Sequence, residues 1–310
     1  MKFTATSSPH IKNPLNIPVI MFHVILALMP ATIAALFFFG TAALAVILTS
    51  VISAMVIEAL INKIKKEPLT IMDGSAALTG LLFAFLLPPI IPLWMVVLGN
   101  VVGIGIVKHA FGGLGHNIFN PALTARLFLA VSYPITLTTW YKPGSWFNFV
   151  PVTAATPLAD KLTVVSHYTD LFLGNMAGCI GETSAIAIIL GAIWLFYKRI
   201  LDWKIPFAFF ASIIIFTIVT KQDTAYHLLT GGVLLGGFFM ITDYVTSPIT
   251  RIGRLLYGLM TGILVMSVRL FSNMPEGVAF SIVLMNAFVP LLDRIGVFFH
   301  FIIYNNYYKD

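Results

Sequence analysis

IPVIMFHVILALMPATIAALFFFGTAALAVILTSVISAMVIEALI, residues 17–61, contains no lysine, arginine or aspartate, and Glu58 is its single acidic residue. A helix needs about 20 predominantly apolar residues to cross the hydrocarbon core of a bilayer. The stretch is long enough for two crossings, and it predicts membrane-spanning helices at 17–39 and 41–61. The segment before it, MKFTATSSPHIKNP, has no apolar core, so we expect no cleavable signal peptide.

The composition of the whole chain supports the same conclusion. Of 310 residues, 59% are apolar and 10% are charged, and the mean hydropathy is +0.95. A soluble domain carries about 25% charged residues, so a water-soluble enzyme is excluded. Glycine (23) and proline (17) occur at ordinary counts without a period, which excludes a fibrous or low-complexity chain. The chain is therefore predicted to reside in a lipid bilayer.

Further apolar runs bring the prediction to about ten transmembrane helices. The additional runs lie at 75–90, 92–107, 121–137, 179–197, 205–219, 227–242, 255–271 and 278–299. With a cytoplasmic N-terminus, all but four of the 18 basic residues fall on the inner side, and the four are Lys142, Lys161, Lys221 and Arg269. Cytoplasmic segments carry an excess of Lys and Arg, so both termini are predicted to be cytoplasmic. If residues 75–107 formed a single broken or re-entrant unit, the membrane orientation of all later helices would be reversed. The distribution of basic residues argues against this alternative.

The predicted architecture is one all-α polytopic domain, 1–310, with a long external loop at 138–178 between the fifth and sixth helices. Long connections of this kind are usually functional or disordered. Ten helices also divide into two five-helix halves of opposite orientation, and inverted repeats build sites near the membrane midplane. Two pairs of similar short segments support such a repeat, and chance similarity explains them equally well. The pairs are TGLLFAFLLPP from Thr79 with TGGVLLGGFF from Thr230, and HNIFNPALTARLF from His116 with VLMNAFVPLLDR from Val283.

Several kinds of cofactor and partner are excluded by the residues available. Cys179 is the single cysteine, so the chain forms neither an intrachain disulfide nor a four-thiolate iron–sulfur cluster. Neither His23 nor His227 has a predicted partner for haem, and no metal site is expected. The net charge is +6, and the basic residues lie in short gaps between apolar runs. This pattern reports the orientation of the helices in the membrane and does not indicate nucleic-acid binding. Near the end of its helix, Glu58 is expected to reach the interface or pair with Lys63.

Three motifs stand out from the apolar background. The first is VPVTAATPLAD, 150–160, in the external loop. A cluster of hydroxyl groups there is most often a turn or a helix cap. From the residues alone, this ordinary structural interpretation is the stronger one.

The second motif is KHAFGGLGHNIFNPALTAR, 108–126. Its glycines permit positive φ or close backbone approach, and Asn120 followed by proline is typical of a capped helix start. Polar side chains at membrane depth are costly unless they line a cavity. Asn117, Asn120 and Thr124 are therefore candidate binding residues as well as candidate capping residues.

The third motif is FFMITDYVTSPITRIGR, 238–254, where Asp243 follows an apolar helix directly. An acidic side chain at a helix break in the membrane can bind a cation or the polar edge of a cofactor. It can equally cap the helix end and pair with Arg251 or Arg254. Both interpretations stay open from the residues.

Together these motifs resemble the D-subunit family of the Rnf ion-translocating ferredoxin:NAD oxidoreductase complexes, which is similar to the B subunit of the sodium-pumping quinone reductase. The resemblance covers essentially the whole chain. In that family an FMN phosphate is esterified to the last residue of a Ser/Thr-x-Ala-Thr motif. The resemblance therefore implies covalent FMN on Thr156, within a motif that includes Thr153 and Ala155. Val150 stands where the family often has an acidic residue.

A second, noncovalent flavin is also implied by the resemblance. In the quinone-reductase relatives a motif similar to 108–126 borders riboflavin, which implies contacts from Asn117 and Asn120 here. The other residues assigned to this cofactor-binding set are Gly112, Gly113, Thr124, Asp243, Thr246 and Ser247.

The resemblance implies a redox-carrier subunit of a sodium or proton pump in a prokaryotic inner membrane. The sequence shows no nicotinamide-binding G-x-G-x-x-G after a strand, so the NAD site is expected on another subunit. The resemblance implies partner subunits that carry iron–sulfur and flavin groups. A flavin transferase would attach the FMN. The alternative function is a channel or secondary transporter for a small solute, since an inverted repeat with polar helix breaks suits it equally well. The TAAT motif separates the two, because a transporter has no need of it.

Overall fold

The computed structural model describes residues 16–144, 152–154, 158, 168–272 and 277–307. These ranges are mostly helical, and one short antiparallel pair joins β1 (Trp140–Tyr141) to β2 (Thr153–Ala154). The α-helices are α1 (Ile17–Lys65), α2 (Ser75–Phe85), α3 (Leu93–Asn100), α4 (Pro121–Ser132), α5 (Pro134–Leu137), α6 (Tyr168–Leu173), α7 (Ala185–Tyr197), α8 (Lys204–Val219), α9 (Thr224–Leu229), α10 (Val233–Leu235), α11 (Arg251–Phe271) and α12 (Val278–Tyr307).

Three of the described helices are long and apolar enough to cross a membrane, namely α1, α11 and the Val278–Phe299 part of α12. Five shorter apolar helices accompany them. A helical, polytopic membrane protein is what the sequence predicts, and the described residues agree with it. The ten crossings, the inverted repeat and the single 1–310 domain stay predictions.

The helix α1 is two helical segments joined at Gly40. Its start is capped by Asn16, whose Oδ1 accepts a hydrogen bond from Val19 N at 3.2 Å. Gly40 has φ 56° and ψ −136°, a conformation that glycine adopts without the steric cost of a side chain. The break lies between the predicted helices at 17–39 and 41–61. The second segment continues beyond the predicted end to Lys65.

The predicted helix at 75–90 ends early, at Phe85, and its last carbonyl groups are bound by the loop before α7. Gly181 N donates to Phe85 O at 2.9 Å and Ile180 N to Leu87 O at 3.0 Å. The thiol of Cys179 donates to Leu86 O at 3.1 Å. A helix can end inside a bilayer only where its backbone groups are satisfied by protein or water. The loop before α7, which lies far along the chain, supplies the hydrogen-bond donors here.

The helices on either side of this break begin and end on the same side of the protein. A π-helix, Val101–His109, continues α3. Lys108 near its end donates from Nζ to Ser75 Oγ, at the first residue of α2, over 2.7 Å. A single crossing from Ser75 to Lys108, which would reverse the predicted downstream orientation, is therefore excluded.

A second discontinuous helix replaces the predicted continuous one at 227–242. It comprises α9, α10 and a π-helix, Gly236–Met240, and its turn contains Gly231 (φ 61°) and Gly232 (φ 69°). Arg269 on α11 donates to the carbonyl oxygens of His227 at 2.8 Å and Thr230 at 2.9 Å. Its guanidinium therefore caps the end of α9 inside the protein. The predicted position of Arg269 on the outer side of the membrane stays a prediction.

Close packing of α1 on α7 depends on Gly191. A Cβ atom at this position would lie 2.0 Å from the carbonyl oxygen of Ala27. We expect Gly191→Ala to destabilise the protein by about 1–3 kcal/mol through overpacking, measured as a lower thermal unfolding midpoint in detergent. Gly105→Ala is the matched control, since its Cβ would meet only Ile61 Cδ1 at 3.7 Å. An equal midpoint for the two variants would contradict this packing.

Candidate functional site

A pocket opens at the end of the protein that holds Ser75 and Lys108. We call it the Asn117–Asp243 pocket. Apolar side chains from α1, α2 and α7 form much of its wall, and its polar lining residues are Ser75, Thr79, Lys108, Asn117, Asn120, Thr242, Asp243 and Tyr244. It holds about 850 Å³ of empty space, including the part open to solvent. Sites for small molecules and cofactors are typically concave and largely apolar.

Asn120 reaches the pocket from the first turn of α4. Its Oδ1 accepts hydrogen bonds from Ala122 N at 3.1 Å and Leu123 N at 3.2 Å, and Pro121 follows it. Thr124 Oγ1 donates to Asn120 O at 2.9 Å. The predicted capped helix start is confirmed. The amide group Nδ2 of Asn120 has no hydrogen-bond partner within the described part of the chain, so it is available to a ligand.

Asn117 lies in the loop before α4 and is 6% exposed. Its Nδ2 donates to Phe119 O at 3.2 Å, while its Oδ1 accepts no hydrogen bond from any described residue. The glycines before it adopt left-handed conformations, with φ of 118° at Gly112 and 90° at Gly113. These glycines shape the loop but do not line the pocket.

Asp243 enters the pocket from the segment after the second π-helix. Its Oδ2 accepts a hydrogen bond from Thr246 Oγ1 at 3.1 Å, and its Oδ1 accepts one from Val245 N at 3.4 Å. These bonds form a turn after the helix end; they do not cap it, because the free carbonyl groups at a helix C-terminus need donors. The predicted pairing with Arg251 or Arg254 is not among the described ion pairs. Arg254 binds Asp202 instead, with 2.5 Å between Nη1 and Oδ2. Among the described ion pairs, none involves Asp243, so no basic side chain neutralises this carboxylate at the pocket.

The structure brings together three of the sequence-predicted site residues, Asn117, Asn120 and Asp243, at one pocket. They come from two segments more than a hundred positions apart in the chain. The remaining members of the predicted noncovalent set lie outside the pocket lining: Gly112, Gly113, Thr124, Thr246 and Ser247. Thr124 and Thr246 support Asn120 and Asp243 through the hydrogen bonds described above.

A buried ion pair that the sequence does not reveal forms part of the pocket wall. Lys108 Nζ lies 2.6 Å from Glu58 Oε2, and the two side chains are 3% and 1% exposed. The sequence predicts that Glu58 reaches the interface or pairs with Lys63. That prediction is wrong, because Lys63 is exposed whereas Glu58 faces the π-helix that carries Lys108. The partners are 50 residues apart, so local spacing gives no signal for the pair.

The motif at 150–160 is only partly described. Thr153 is exposed on β2 and lies opposite Tyr141 of β1. Ala155 and Thr156 lie outside the described residues, as does Val150. Covalent attachment at Thr156 therefore stays a prediction, together with the loop boundaries 138–178.

The chain is similar to known proteins over nearly its whole length. The family described as "NQR2, RnfD, RnfE family" matches residues 4–298. The D subunit of the Na(+)-translocating ferredoxin:NAD(+) oxidoreductase complex of Acetobacterium woodii is 44% identical over 95% of this chain and 93% of the relative. The D subunit of the proton-translocating complex of Clostridium ljungdahlii is 43% identical over 94% of both chains. The D subunit of an Escherichia coli ion-translocating oxidoreductase complex is 35% identical over 94% of this chain and 96% of its own length.

Proposed function

Because the chain belongs to the NQR2, RnfD, RnfE family, we propose that it is the D subunit of an Rnf-type ion-translocating ferredoxin:NAD oxidoreductase complex. It acts as an enzyme only within that complex, in a prokaryotic inner membrane with both termini in the cytoplasm. Iron–sulfur and flavin subunits supply the sites for ferredoxin and NAD. A relative from a Na(+)-translocating complex is 44% identical to this chain, and one from a proton-translocating complex is 43% identical. We therefore propose either sodium or protons as the ion that the complex moves.

The proposed task of this subunit is to carry electrons on two flavins. One is FMN, attached through its phosphate to Thr156 by a flavin transferase. The other is riboflavin, held without a covalent bond in the Asn117–Asp243 pocket. The observation that carries the second assignment is the meeting of Asn117, Asn120 and Asp243 at one largely apolar pocket.

These side chains suit a flavin chemically. The pyrimidine edge of the ring system presents alternating carbonyl and N–H groups. The free Nδ2 of Asn120 can donate to such a carbonyl, and the free Oδ1 of Asn117 and the Asp243 carboxylate can accept from N–H or hydroxyl groups. The apolar wall excludes water from the rest of the ring. When bound, the flavin supplies the electron-transfer chemistry, and the protein supplies binding and orientation.

The transporter alternative receives less support from the broken helices. In secondary transporters, the carbonyl ends of discontinuous helices coordinate the transported ion. Here protein donors already occupy both such ends. Gly181 and Ile180 bind the carbonyl end of α2, and Arg269 binds that of α9. The electron-carrier function is therefore the one that we propose.

Substitution of Asn120 tests the noncovalent flavin. Acid extraction of the purified complex is expected to release riboflavin from the wild type and at least tenfold less from Asn120→Ser. Serine retains a helix cap but lacks the amide donor, and a lost hydrogen bond of about 1.4 kcal/mol corresponds to a factor of ten. Asn175→Ser, at an exposed asparagine remote from the pocket lining, is the control. If Asn120→Ser releases as much riboflavin as the wild type, Asn120 does not bind the flavin. If the wild type releases no riboflavin, the proposal of a second, noncovalent flavin is wrong.

A further inference from the structure

Lys108 is the only basic side chain among the described residues that line the Asn117–Asp243 pocket. It is 2% exposed, although it lies near the end of a helix where a lysine could extend into water. Burying an ion pair is often no more stabilising than burying apolar groups of the same size. Stability alone therefore gives a weak reason for a buried pair at this position.

The hydrogen bonds of the pair fix the ammonium group at the pocket wall. Lys108 Nζ donates to Glu58 Oε2 at 2.6 Å and to Ser75 Oγ at 2.7 Å. Thr70 Oγ1 donates to the other carboxylate oxygen of Glu58 at 2.5 Å and accepts from Asn62 Nδ2 at 2.9 Å. An ammonium group has three donors, and described residues take two of them. One N–H of Lys108 remains for a group bound in the pocket.

The charges of the pair are also oriented with respect to the pocket. Lys108 and Ser75 line it, whereas Glu58 lies behind them and does not. His109 Nε2 is 4.0 Å from Glu58 Oε2, and Lys65 Nζ donates to His109 O at 2.6 Å, so further groups surround the carboxylate side. A bound molecule thus meets the positive end of the pair. In a site of low dielectric constant, such a charge acts more strongly than in water.

We propose that Lys108 sets the reduction potential of the flavin in the Asn117–Asp243 pocket, with Glu58 and Ser75 holding it in place. This inference rests on the proposed function. A bound flavin that took up one electron from a partner redox subunit would gain one negative charge on its ring system. No bond to Lys108 is formed or broken, and its charge and free N–H would stabilise the reduced ring relative to the oxidised one.

Two variants of the pair test this assignment by the sign of their effects. Glu58→Gln keeps the ammonium group and removes the compensating carboxylate, so the midpoint potential of the extractable flavin is expected to rise above the wild-type value. Glu58→Gln/Lys108→Gln leaves no charge at the pair. Its potential is expected to fall below that of Glu58→Gln by about 59 mV or more, which is a tenfold change in a one-electron equilibrium.

The measurement is a spectroelectrochemical titration of the purified complex, with the covalent flavin content as a check that each variant is assembled. Lys63→Gln removes an exposed positive charge nearby on α1 and is expected to leave the potential unchanged. A purely structural pair would leave the potential of the retained flavin the same in both variants, and that result overturns the inference but not the proposed function. If the double variant loses its flavin, Glu58→Gln decides alone: a raised potential supports Lys108, and an unchanged one overturns it. Absence of extractable flavin from the wild type overturns both.

Discussion

Replacement of Arg269 by methionine is expected to lower the free energy of unfolding by about 3 kcal/mol or more. The guanidinium is 3% exposed and donates to the carbonyl oxygens of His227, Thr230 and Gly231 at 2.8, 2.9 and 3.1 Å. Methionine fills a similar volume without a donor. Each buried carbonyl left without its hydrogen bond costs about 1–3 kcal/mol.

The matched control lies at the other end of the same helix. Arg251 is the first residue of α11 and is exposed, so Arg251→Met is expected to change stability by less than about 0.5 kcal/mol. Thermal unfolding in detergent, followed by circular dichroism, compares the two. Equal midpoints for Arg269→Met and Arg251→Met would show that α9 does not depend on the guanidinium.

Substitution of Thr156 by valine is expected to abolish covalent flavin entirely. A phosphoester bond requires the hydroxyl oxygen, and valine offers a side chain of the same shape without it. Coexpression with a flavin transferase, followed by a denaturing gel read for flavin fluorescence, is the measurement. Thr138→Val is the control, because it removes an exposed hydroxyl from the same predicted loop, 138–178, and is expected to leave the band fluorescent.

Two outcomes of this experiment would contradict covalent attachment at Thr156. A fluorescent Thr156→Val band would place the bond on another residue. A dark wild-type band in the presence of the transferase would exclude covalent flavin on this chain.

The division of α1 into two helical segments was accessible to sequence analysis because the apolar run is continuous and long enough for two membrane-spanning helices. The predicted junction near position 40 coincides with Gly40, whose φ of 56° breaks the helix. The end of α2 was not accessible in the same way. Its apolar pattern continues past Phe85, and the groups that allow it to end there, Ile180 and Gly181, lie in a loop far along the chain.

The candidate pocket was predictable only in part. Uncharged amides and a carboxylate at membrane depth are costly and therefore conspicuous, which is why Asn117, Asn120 and Asp243 could be selected from the sequence. The ion pair of Glu58 and Lys108 was missed because each residue, taken alone, is typical of a helix end near the membrane interface. Only the packing of α1 against the π-helix after α3 reveals that the two charges are buried together.

The ratio of flavin to protein tests whether this subunit carries electrons on two flavins. The complex is purified after coexpression with a flavin transferase, precipitated with acid, and the flavin is quantified separately in the supernatant and on the denatured chain. We expect one FMN bound to this chain and riboflavin in the supernatant. The riboflavin fraction is expected to fall in Asn120→Ser, and the bound fraction is expected to vanish in Thr156→Val. A wild-type chain without flavin in either fraction would contradict its assignment as an electron carrier.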